Sequence, residues 1–111
     1  MGKDDYFVIV YKLLKYLYEC LKKGVQPSMD VVDADYFSIG SSYWNYIVVN
    51  LCDDGYITGV PTFHIAMNPD KQAKVSVSIK ITPKGIQYLE ENTVFQKIKN
   101  AAKDISDILP L

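Results

Sequence analysis

The sequence predicts an α+β chain of the winged helix-turn-helix type, with helices first, then a β-hairpin wing, then further helix. Three observations predict it. Apolar residues recur at three-to-four spacing through residue 54, alternate pairwise from about residue 62 to 81, and then return to helical spacing. Gly24 and Gly55 fall where helices would close, and Thr82-Pro83 falls where one would open. A chain of 111 residues with 49% hydrophobic content suits one domain, expected over residues 1–111, with its core at about 4–92.

Residues 5–23 read as one long helix, capped at its start by Asp4 or Asp5 and closed by Gly24. Lys12, Lys15, Glu19, Lys22 and Lys23 form one polar stripe. The remaining arc, which includes Phe7, Ile9, Val10, Leu13, Leu14, Leu17 and Leu21, is wider than a surface helix needs. Either the chain covers this helix on two sides or a partner chain buries part of it. Residues 25–40 are broken by Pro27 and Gly40. A short helix is expected at 30–34 and a brief strand at 36–39.

The β-branched Ile47, Val48 and Val49 suit a strand, yet Trp44, Ile47, Val48 and Leu51 repeat at helical spacing. The spacing predicts a helix over 42–54, with Ser41 as its cap and Gly55 at its end. Turning that stripe inward directs Ser42, Asn45, Tyr46, Val49 and Asn50 outward. An extended stretch begins at 56–58. Phe63, Ile65 and Met67 then alternate with Thr62, His64 and Ala66, and Val75, Val77, Ile79 and Ile81 alternate with Ser76, Ser78 and Lys80. Asn68-Pro69-Asp70-Lys71 matches a type I turn between them, giving a hairpin with one buried face and one solvent face. Thr82 is the expected cap of the next helix, Pro83 its first residue, and Gly85 a point of close backbone approach. Thr93 caps a last helix over 93–109, with the apolar stripe Val94, Phe95, Ile98, Ala102, Ile105 and Leu109.

Three stretches together, YFVIVYKLLKYLYECLKKG, VVNLCDDGYITGV and ITPKGIQYLEEN, resemble the YjcQ-like family of bacterial and phage proteins. The resemblance spans nearly the full length. It implies a winged-helix fold and a bacterial or prophage origin, and it brings no catalytic motif.

Composition narrows the chemistry. The formal net charge is -1, so the chain as a whole is no electrostatic magnet for nucleic acid. All 12 basic residues are lysine, which meets phosphate as a point charge and lacks arginine's forked donor. Cys20 and Cys52 lie in apolar surroundings without CxxC spacing, as reduced core residues of a cytoplasmic protein would. No apolar run reaches the roughly 20 residues needed to span a bilayer, so no membrane partner is expected.

Catalysis is not expected. His64 is the single histidine and lies on the solvent face of its strand, so a histidine-based metal cluster is excluded. No phosphate-cradling glycine motif occurs. The pairs Asp4-Asp5, Asp53-Asp54 and Glu90-Glu91 sit at predicted helix ends, where neighbouring residues do not face each other. No cofactor and no metal are expected.

Two functions remain. In a winged helix the helix before the hairpin occupies the recognition position. Ser42, Asn45 and Tyr46 would then reach the base edges of double-stranded DNA, while Lys71, Lys74, Lys80 and Lys84 hold phosphates. Such a chain would be a DNA-binding or transcription-regulatory accessory protein. Against this stand Asp53 and Asp54 on the same helix. The alternative is a protein–protein interaction module, because 9 tyrosines and 1 tryptophan suit contact surfaces. A homodimer through the first and last helices fits either function.

Overall fold

In the computed structural model, which describes residues 5–92, the order is α1 (Asp5–Lys23), α2 (Ser41–Asp53), β1 (Ile57–Thr58), β2 (Thr62–His64), β3 (Lys71–Ala73), β4 (Lys80–Ile81) and α3 (Pro83–Glu91). The architecture is α+β, with three helices and two small antiparallel ladders among the described residues. The expected helix over 93–109, and Asp4 as a cap, lie outside those residues.

The broad apolar arc of α1 is covered from within the chain. Ile9, Val10, Tyr11, Leu13, Leu14 and Leu17 are all buried, and α1 packs on β4 and α3. Each such aliphatic side chain contributes roughly 1.5–3 kcal/mol on leaving water. Only the ends of the arc stay wet, with Phe7 55% and Leu21 45% exposed. The helix closes on Gly24, whose φ of +70 suits glycine alone at little cost. The Gly24 N–H donates to the Leu21 carbonyl and the Val25 N–H to the Cys20 carbonyl, the paired closure of a Schellman motif.

Residues 25–40 form neither the expected short helix nor the expected strand; they are a run of turns. Side chains compete for the backbone here. The Asp33 carboxylate accepts from the Asp35 N–H at 3.1 Å, and the Ser28 hydroxyl accepts from the Asp30 N–H at 3.2 Å. Ser38 adopts a φ of 59, which an extended strand excludes. The run is still fixed. Val32 and Ala34 are buried, Phe37 stacks on Trp44, and the Tyr16 hydroxyl accepts from the Ser28 N–H.

Helix α2 buries Trp44, Ile47, Val48 and Leu51, the stripe its spacing predicts. Two details differ. Gly40, not Ser41, is the N-cap: its extended backbone accepts from the Trp44 N–H, and Ser41 is already helical. Val49 is also buried, although the stripe turned it outward. Strand β3 packs against α2.

The strands nest. Ile57 pairs with Ile81 and Thr58 with Lys80 in the outer ladder, while Thr62, Phe63 and His64 pair with Ala73, Gln72 and Lys71 in the inner one. The outer ladder carries the buried Ile57 and Ile81. The hairpin departs from expectation: it turns at 65–68, where the Asn68 N–H donates to the Ile65 carbonyl, rather than at 68–71, and Phe63, Ile65 and Met67 face solvent rather than the core. The predicted alternation over 75–81 is also interrupted. The Ile79 N–H donates to the Ser76 carbonyl in a turn, which exposes Val77 and returns Ile79 to the core.

The junction into α3 follows the sequence closely. The Thr82 hydroxyl accepts from the Gly85 N–H at 3.1 Å and donates to the Gly55 carbonyl at 2.6 Å, and Pro83 opens the helix. One threonine thereby caps α3 and ties it to the end of α2. Gly85 lies so close to the Tyr56 carbonyl and the Ile81 side chain that any Cβ would overlap both.

Candidate binding surfaces on α2, the hairpin and the end of α1

The inner ladder is held onto α2 by one amide. The Asn45 side-chain nitrogen donates to the Lys71 carbonyl at 2.9 Å, and its oxygen accepts from the Ala73 N–H at 2.8 Å. An asparagine on a helix thus pairs with a strand edge as another strand would, both ends of its amide used at once. Beside it the Lys71 ammonium meets the Asp53 carboxylate at 2.7 Å. A cleft of about 470 Å³ remains between Ser42, Tyr46 and Asn50 on α2 and His64, Asp70 and Lys71 on the hairpin.

The seven candidate nucleic-acid residues divide accordingly. Ser42, Asn45, Tyr46 and Lys71 converge on this cleft. Ser42 is exposed and Tyr46 is 58% exposed, its ring meeting that of Tyr6 edge-on. Asn45 and Lys71 are engaged internally, as described. Lys84 lies elsewhere: its ammonium donates to the Asp54 carbonyl at 2.8 Å and sits over the Tyr56 ring. Lys74 is exposed, its backbone N–H tied to the Pro61 carbonyl. Lys80 is exposed and lines a separate groove at the end of α1.

The charge around the cleft is mixed. Helix α2 carries Asp53 and no basic residue, and Asp54 caps its end; the hairpin sets Lys71 and Lys74 against Asp70. His64, Pro69 and Asp70 are the cleft residues that sequence reasoning did not bring together with α2. No local signal marks them, because the contacts join segments 26 and 28 residues apart.

Ionisable groups here offer little reactivity. Burial, with Asp53 beside it, pushes the Cys52 thiol up and keeps it protonated at neutral pH, away from the thiolate that attacks or ligates. Burial raises the Tyr6 phenol, with Tyr46 adding to the effect, and likewise the Tyr88 phenol. Among the described residues no group of three or more His, Cys, Asp or Glu could hold a metal ion, and no helix is long and apolar enough to cross a membrane.

These features define a small α+β chain with two surface grooves. Residues 11–108 match the family model described as YjcQ protein, and the chain belongs to the YjcQ family. No curated protein and no solved structure matches the chain.

Proposed function

We propose that the chain is a non-catalytic binding module of winged-helix type that works through protein contacts. The order helix, turns, α2, nested hairpin and α3 is compatible with a winged-helix arrangement that has α2 as its recognition helix, with turns in place of the helix before it. One observation carries the choice of partner. The amide best suited to read a base, that of Asn45, spends both its atoms on the β3 backbone, and the nearest lysine spends its charge on Asp53. Meanwhile Phe63, Ile65 and Met67 stand in solvent at 44%, 50% and 103% exposure, apolar area that a protein partner can cover.

Duplex DNA is the second reading. Ser42, Tyr46, Lys74 and Lys80 are exposed, and neither lysine holds an ion pair among the described residues, which suits phosphate contact. Titration with generic duplex DNA over a salt series separates the two. The expected result is no measurable affinity even at low salt. An affinity falling steadily with salt, the mark of counterion release, overturns the protein-docking reading.

A further inference from the structure

The last turn of α1 and the end of the outer ladder enclose a second groove, of about 580 Å³. It lies roughly 22 Å along α1 from the Tyr6–Tyr46 contact, at the helical rise of 1.5 Å per residue. Its floor is the buried Leu17, Cys20 and Ile79. Its walls are Leu21, Val25 and Val77, which remain 45%, 55% and 38% exposed. The Schellman closure at Gly24 and the turn at 76–79 hold these three in solvent, so their exposure is built into the backbone.

Lys80 lines this apolar trough, Lys22 and Lys23 occupy the same last turn of α1 as Leu21, and among the described residues no carboxylate lines it. Lys22 is paired with Glu19, but Lys23 and Lys80 hold no ion pair among the described residues. Of the last α1 carbonyls, those of Cys20 and Leu21 are satisfied by the Val25 and Gly24 N–H groups.

Resting on the protein-docking reading above, we propose that this groove receives an acidic amphipathic segment of a partner protein. The partner's apolar side chains face Leu21, Val25 and Val77, and its carboxylates face Lys80. Lys80, with no competing carboxylate among the described lining residues, favours acidic partners, and the apolar trough requires side chains that nucleic acid lacks. Helix α3 of a second copy fits poorly. Glu90 and Glu91 of α3 are exposed, but Leu89 is buried in that helix's own core and Ile86 packs against it.

Two synthetic peptides of equal length test this, both with leucine at helical spacing, one with glutamate and the other with lysine at the polar positions. Each is titrated into the isotope-labelled full chain and followed by amide chemical shifts. The glutamate peptide is expected to move the Leu21, Val25, Val77 and Lys80 amides, and the lysine peptide is not. In the Lys80→Glu variant its affinity is expected to fall about tenfold. Val77→Asp, at an exposed site that leaves the core intact, is expected to abolish binding. Equal binding of both peptides, or shifts confined to other amides, overturns the proposal. So does movement of these amides on raising the concentration of the chain alone, which would seat a second copy in the groove. The DNA titration is independent: salt-dependent DNA binding beside intact glutamate-peptide binding overturns only the functional reading and leaves the groove supported.

Discussion

Asn45 and Ala73, 28 residues apart, are joined by a 2.8 Å hydrogen bond from the strand N–H to the side-chain oxygen, and the same amide returns a bond to Lys71. The hairpin therefore rests on α2 through a polar clasp rather than an apolar seam. Replacing Asn45 by Ala leaves a part-buried N–H and carbonyl unpaired, which costs about 1–3 kcal/mol. The expected signature in chemical denaturation is a lowered midpoint with an unchanged slope. A neutral substitution would show that the clasp does not form in solution.

Gly85 is expected to tolerate no side chain. Gly85→Ala drives a Cβ into the Tyr56 carbonyl and Ile81, so a loss of at least about 2 kcal/mol is expected, in the range for overpacking against backbone. Gly40→Ser should move stability the other way, by a few tenths of a kcal/mol. That N-cap has open space around it, and a serine hydroxyl accepts from the first turn of α2. Thermal melts of the two variants on either side of wild type check both.

Met67 holds a φ of 69 while fully exposed, so it bears the cost of a left-handed backbone and gains no burial. Met67→Asn is expected to raise stability by about 0.5 kcal/mol, since asparagine visits that region readily. Differential scanning calorimetry reads the shift. A decrease would mean that the thioether has a partner.

Lys22 chiefly, and Lys15 after it, hold the Glu19 carboxyl below its ordinary range. A carboxylate depressed in the folded state stabilises it above the unfolded pKa, and that stability is lost as pH falls through the folded value. Glu19→Gln should therefore cost a few tenths of a kcal/mol at pH 7, the scale of screened surface pairs, and nothing at a pH below the carboxylate range. Paired melts at the two pH values test the sign. The difference should also shrink in high salt.

Local chemistry was legible in the sequence, and long-range contact was not. Gly24 and Gly55 mark the ends of α1 and α2, Thr82-Pro83 opens α3, and the inward stripe of α2 follows from spacing alone. Each of these is decided within a few residues. The failures have two physical sources. In 25–40, Ser28 and Asp33 offer the backbone side-chain acceptors, so turns displace helix and strand. In the hairpin, alternation of apolar residues implied a buried face, but Asn45 takes the inner ladder onto α2 and leaves Phe63 and Ile65 outside. The candidate surface split for the same reason. Asn45 and Lys71 look like outward-facing polar groups in sequence, and their partners stand 18 to 28 residues away.

Nesting one ladder inside the other has a consequence for how the fold opens. No residue of β2 or β3 is fully buried, whereas Ile57 and Ile81 of the outer pair are. Amide protons of the inner strands should exchange with deuterium through local opening, well before those of Leu13, Ile47 or Ile81. The connection 65–70 is exposed throughout. A protease cutting there should leave two fragments that stay together and denature as one, because everything that closes the core lies on either side of the nick.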